Sequence, residues 1–206
     1  MSSSSQRDPS TARRLGNDAV RLLTAITMVA GRGAAARAVA RAAGLTGDDR
    51  VVDVGCGPGT AVREAARHAA AATGVDPDAL SLTLARSITK IGRHPGSITW
   101  LQGSAEKLPL PDGSATVVWS LSAVHHWADR PAGFAEASRV LTSGGRLLIA
   151  ERLTKPGARG HAAHGLDPAL AERVAAELAA VGYADVRTQI VRARSRVLTI
   201  IEARKV

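Results

Sequence analysis

The stretch Val51-Val52-Asp53-Val54-Gly55-Cys56-Gly57-Pro58-Gly59-Thr60, VVDVGCGPGT, decides how the rest of the chain is read. A short apolar run suited to a buried strand ends in alternate glycines, and a helical pattern follows. Glycines let the backbone turn sharply and come close to a ligand, while free N–H groups opening a helix face its negative portion. A dinucleotide loop would read Gly-x-Gly-x-x-Gly, its third glycine serving helix–strand packing. Here the glycines stand at 55, 57 and 59, position 60 is Thr, and the acidic Asp53 precedes the first glycine by two residues.

Beyond this loop, strand-like and helical runs alternate. Residues 59–71 read as a helix and 73–76 as a strand. A further helix opens on Asp76-Pro77, a capping residue then a proline, with Leu80, Leu84, Ile88 and Ile91 as its buried stripe. Strands follow at 97–101 and 115–121. A helix begins at Asp129 with Phe134, Ala137 and Leu141 on one side and closes at Gly144-Gly145, before a strand at 146–150. Asp167-Pro168 opens a helix carrying Leu170, Val174, Leu178 and Val181, stopped by Gly182. Two last strands, near 184–191 and 197–203, are joined too briefly to pair other than antiparallel. This alternation indicates an α/β chain whose mostly parallel sheet is covered on both faces. Residues 1–10 are Ser-rich and read as a disordered tail, residues 11–47 as an N-terminal helical cap, and residues 48–206 as the core domain.

The pattern acidic-x-Gly-x-Gly-x-Gly resembles motif I of the class I S-adenosylmethionine-dependent methyltransferases. Three later segments strengthen the likeness: GSAEKLPLPDGSA (103–115), VVWSLSAVHHWAD (117–129) and EASRVLTSGGRLLIAE (136–151), in the family's order and spacing. The resemblance implies a Rossmann-like seven-stranded sheet of order 3-2-1-4-5-7-6 with strand 7 antiparallel, and S-adenosyl-L-methionine as cofactor. It also implies site residues. The backbone of Gly55, Cys56, Gly57 and Gly59 would meet the methionine carboxylate, and Asp53 would offset the α-ammonium. Asp76, followed by Pro77, would accept both ribose hydroxyls. Ser104 stands where the family usually has Asp, so its hydroxyl would accept from the adenine amino group, with the Ala105 N–H beside it. Ser120 and Leu121 would line the methionine end.

His125 and His126 follow strand four, close to where the donor methyl would lie. Neighbouring residues diverge on a helix or a strand, and Cys56 is the one cysteine, so a metal site is not expected here. The reading assigns His126 to the cofactor border and His125 to the acceptor side as a candidate general base. Trp127 would form a pocket wall, and His161 and His164 would rim the acceptor entrance.

The formal charge of +9 sits at the two ends. Residues 1–47 carry seven arginines against Asp8 and Asp18, and residues 184–206 carry five arginines and Lys205 against Asp185 and Glu202. Solvated exposed segments account for this, though an RNA methyltransferase would also use it. Against RNA stand five aromatic residues in 206, too few for base stacking, and the absence of an Asn-Pro-Pro-Tyr signature after strand four. No apolar run reaches membrane-spanning length and the N-terminus lacks a signal-peptide core, so the expected location is cytoplasmic. Such a small cap suits a small-molecule methyl acceptor, or a site completed by a second copy of the chain. A non-catalytic module that only binds S-adenosylmethionine is the third reading.

Overall fold

The computed structural model describes residues 32–206; the polar tail and the first part of the expected cap lie outside the described residues. Seven strands form one sheet: β1 (Arg50–Val54), β2 (Ala71–Asp76), β3 (Ser97–Gln102), β4 (Ala115–Leu121), β5 (Leu141–Arg152), β6 (Tyr183–Ala193) and β7 (Arg196–Lys205). Their order is β3-β2-β1-β4-β5-β7-β6, and β7 runs antiparallel to both β5 and β6. Sheet order and orientation agree with the sequence reading.

The helices divide between the faces according to the alternation of the strands. Helix α1 (32–43), α2 (Thr60–Ala65) and α3 (Ala79–Thr89) cover one face. There Ala36, Val39, Val62, Ala65 and Leu82 pack with Val51, Val117, Trp119, Leu148 and Ile200. Helix α4 (Arg130–Val140) and α5 (Pro168–Ala180) cover the other, with Phe134, Val140, Val174 and Leu178 against Val52, Val118, Leu147, Ile149 and Ile201. Alanine dominates α1, and its small side chain lets this helix lie close to the sheet. Ala35, Ala36, Ala38, Val39, Ala40 and Ala43 are thus part of the packed core. Among the described residues, no helix is long and apolar enough to cross a membrane.

Local signals operate as expected at two helix starts. Asp129 Oδ1 accepts from Ala132 N at 3.0 Å and Asp167 Oδ1 from Leu170 N at 2.8 Å, each with proline in the first turn. Three details differ. Helix α2 ends at Ala65, because residues 71–72 pair with both β1 and β3 and join the sheet despite their helical propensity. Helix α3 is capped by Asp78, which accepts from Ser81 N at 3.2 Å, and not by Asp76. Its buried residues are therefore Leu82 and Ala85; Leu80, Leu84 and Ile88 are half-buried, and Ile91 lies past the helix and is exposed. Finally, Gly144 and Gly145 sit inside β5, where the register against β4 shifts, instead of forming a turn before it.

Candidate active site

The sheet runs from β1 toward β2 on one side and toward β4 on the other, so a crevice opens beyond the carboxyl ends of β1 and β4. The glycine loop occupies it. Gly55, Gly57 and Gly59 all adopt left-handed backbone, with φ of 77°, 52° and 77°. Gly55 N and Cys56 N donate to Val75 O, and Gly57 N donates to Asp76 Oδ2 at 2.7 Å. The other Asp76 oxygen accepts from Asp78 N at 2.9 Å. The acid that ends β2 therefore buttresses the loop that follows β1.

The three glycines do different work. A side chain at Gly55 would strike the Ala123 Cβ at 2.5 Å, and one at Gly59 would strike the Trp100 ring at 2.0 Å. At Gly57 a Cβ would meet nothing within 4 Å. Gly57 is the one whose missing side chain leaves open space, and that space is a cavity of about 370 Å³. Of the predicted residues, Gly55, Gly57, Asp76, Pro77, Ser104, Ala105 and His126 line it. Gly59 turns against Trp100 instead. Asp53, Cys56 and Leu121 border a narrow crevice behind the loop, and Ser120 is fully buried with no hydrogen-bond partner for its hydroxyl.

Asp53 is 2% exposed and its Oδ1 has no partner. Burial above all, then the nearby Asp76 charge, pushes its carboxyl up to about 8. The Arg32 charge and the Trp119 indole favour the ionised form, but the indole makes no well-formed hydrogen bond to it. Burial, with Asp53 and Asp76 close by, also drives the Cys56 thiol upward, so it stays protonated and unreactive.

A second cavity of about 520 Å³ adjoins the first, sharing Arg32, Ser122 and His126 as walls. His125 and His164 line it, with Arg152 and Arg196. His125 and His126 lie on a 3-10 turn, Val124–His126, so their rings do not diverge as they would on a regular helix or strand; the centroids are 4.0 Å apart. His164 approaches within 5.4 Å and 5.6 Å of them. Ligand atoms of the three imidazoles lie within 4.8 Å of one another, a spacing at which they could share an ion. Burial, then His125 and His164, holds His126 below the ordinary histidine value.

His125 Nδ1 is 3.0 Å from Oε1 of Glu151, a fully buried residue near the end of β5. With Glu151 ionised, Nδ1 is the donor, and Nε2, buried and without a partner, carries the lone pair. Glu151, Arg32 and Ser122 were not singled out as site residues by sequence reasoning. A lone acid closing an apolar strand was the available signal for Glu151. Ser122 carries a φ of 56° that no local motif announces. Glu106 was missed as well: it lines the first cavity and accepts from Ala128 N and Asp129 N at 3.0 and 3.2 Å. Partial burial disfavours its charge, but these bonds, its own backbone N–H and Ser104 prevail and hold the carboxyl low. Trp127 lines the first cavity and packs on Phe134.

Residues 52–149 match the family model described as a methyltransferase domain. The 27-O-demethylrifamycin SV methyltransferase of Amycolatopsis mediterranei is 34% identical over 117 residues, 56% of this chain and 43% of that protein. The demethylmenaquinone methyltransferase of Tropheryma whipplei is 32% identical over 152 residues, 71% of this chain and 62% of that protein. The chain spans about half the length of the curated relatives it matches. Among solved structures, the cyclase SpnF superimposes with a TM-score of 0.69 at 20% identity, over 84% of this chain and 81% of that one. That likeness concerns the fold, which by itself does not set the reaction. The match over residues 52–149, the relatives and the strand order identify a methyltransferase domain of the class I S-adenosylmethionine-dependent type here.

Proposed function

We propose that the chain transfers the methyl group of S-adenosylmethionine to an oxygen or nitrogen of a small molecule, with His125 as general base when the acceptor is a hydroxyl. The residues around the glycine loop suit this cofactor. A buried, unpartnered carboxylate oxygen at Asp53 calls for a cation, and the α-ammonium would supply it. Asp76 spends two of its lone pairs on Gly57 N and Asp78 N, which leaves two for ribose hydroxyls. Ser104 and Ala105 are left for the adenine edge. At about 370 Å³ the cavity falls within the about 300–1,000 Å³ range of small-molecule sites.

Bound there, the cofactor supplies an activated methyl on a sulfonium. The chain's own contribution is placement and proton removal. The second cavity would hold an acceptor hydroxyl toward that methyl. The hydroxyl proton passes to His125 Nε2, and Glu151 fixes the tautomer and offsets the imidazolium that forms. The observation that carries this reading is the His125–Glu151 pair, with His125 lining the second cavity beside His126, which lines both. The relatives support a small-molecule acceptor, since the two described above are named a 27-O-demethylrifamycin SV methyltransferase and a demethylmenaquinone methyltransferase.

Transfer of label from tritiated S-adenosylmethionine to a panel of hydroxylated and amino compounds tests the reading. For any hydroxyl acceptor found, His125→Ala should lower kcat by about 100-fold to 10,000-fold with cofactor affinity intact. Glu151→Gln, nearly isosteric, should lower it at least about tenfold. Unchanged kcat in His125→Ala would remove the base from the mechanism.

A further inference from the structure

The second cavity carries more positive than negative groups. Arg32, Arg152 and Arg196 line it together with His125, His126 and His164, and among the described residues no carboxylate does. Glu151 stands behind His125, fully enclosed. Burial disfavours the Arg32 charge most, and the Glu151 carboxylate nearby offsets this in part. Arg152 is oriented by backbone carbonyls: its Nε donates to His164 O at 3.1 Å and its Nη2 to Ala162 O at 2.8 Å. Arg196 opens β7 just after the tight turn at Arg194, whose φ is 55°, and is exposed at the cavity rim. The three imidazoles by themselves would suit a divalent cation. Three guanidiniums on the same wall make the cavity repel one, and favour an anion instead.

We infer that the acceptor carries an anionic oxygen group, a carboxylate or phosphate ester, held by Arg152 and Arg196 while its nucleophilic atom lies near His125. This rests on the methyltransferase reading of the adjoining cavity and adds the chemical class of the acceptor. A planar fork of N–H donors binds either oxyanion with directional, charge-assisted bonds. Anchoring at the arginine side leaves the opposite end of a small molecule free to reach His126 and Ser122, the walls shared with the first cavity.

The test uses the full chain saturated with S-adenosylhomocysteine and matched fragment pairs, 4-hydroxybenzoate against 4-hydroxybenzamide and phenyl phosphate against phenol, titrated by ligand-observed NMR. Each acid should bind at least about tenfold more tightly than its neutral partner, and this preference should fall below about threefold in Arg152→Met/Arg196→Met. Arg196→Glu, at an exposed position that the fold tolerates, should erode the preference even if the double variant fails to fold. Equal binding of the neutral partners, failure of both acids to bind, or a preference that survives Arg196→Glu would overturn the inference. So would stoichiometric uptake of Zn2+ by the three imidazoles. Loading with S-adenosylhomocysteine is measured first by calorimetry. Its absence would instead remove the methyltransferase reading on which the inference rests.

Discussion

Two buried aspartates, one just before a short strand and one near its far end, behave in opposite ways. Asp49, just before β1, is 6% exposed and has every oxygen engaged. It accepts from Thr46 N, from the Thr116 hydroxyl at 2.6 Å and from Arg146 Nη2 at 2.9 Å. Burial opposes its charge, yet Thr116, Thr46 and Arg146 outweigh it and hold the carboxyl below its usual range. Asp53, near the other end of β1, is similarly buried but keeps one oxygen without a partner and is pushed up to about 8. A carboxylate saturated by its own protein ties strands together. One left unsatisfied in the narrow crevice behind the glycine loop destabilises the free chain and awaits a cation from outside.

Substitution separates the two roles. Asp53→Asn should weaken S-adenosylhomocysteine binding about 100-fold, about 2.7 kcal/mol, because it removes a charge-assisted bond in a buried setting. The ligand-free variant should be no less stable than wild type at pH 7.5. The sign follows from the raised value: folded Asp53 holds its proton longer than the unfolded chain does. Its favourable contribution is therefore complete below the ordinary carboxylate range and fades as pH rises through about 8. Calorimetry and thermal melts read both effects. Loss of stability in Asp53→Asn, with binding preserved, would make Asp53 structural like its neighbour.

Asp49→Asn should do the reverse. It leaves Arg146 and Thr116 donating to a weaker acceptor and should cost about 2 kcal/mol, seen as a fall of about 4–8 °C in Tm, with cofactor affinity unchanged. Because the folded Asp49 value is lowered, its contribution is present above the unfolded carboxylate pKa and lost as pH falls through the folded one. The difference in melting temperature between Asp49→Asn and wild type should accordingly shrink in acid.

Much of the surroundings of the glycine loop was legible because the loop after β1 is local. Asp53, Gly55 and Gly57 follow one another in the chain, and Asp76 ends the next strand. What escaped depends on long-range packing. Gly59 reads as a ligand glycine, yet Trp100, from β3, claims the space beside it. His125 and Glu151 are 26 residues apart and meet only because β4 and β5 are neighbours. Helical period alone placed the α3 stripe on Leu80 and Leu84, but capping by Asp78 frees Asp76 to brace the glycine loop, and Leu82 and Ala85 turn inward. Adjacent histidines diverge on regular elements; a single 3-10 turn, which no residue pattern announced, stacks them together.

The most direct measurement is a calorimetric titration of the full chain with S-adenosylhomocysteine between pH 6 and 7.5, in buffers of different ionisation enthalpy. Asp53 is protonated in the free protein over that range and ionised beside the ligand's ammonium. Binding should therefore release close to one proton, and affinity should rise about tenfold per pH unit, with Asp53→Asn flat. No heat of binding, or the same pH slope in the Asn variant, would contradict the assignment of this crevice to the cofactor and of Asp53 to its ammonium.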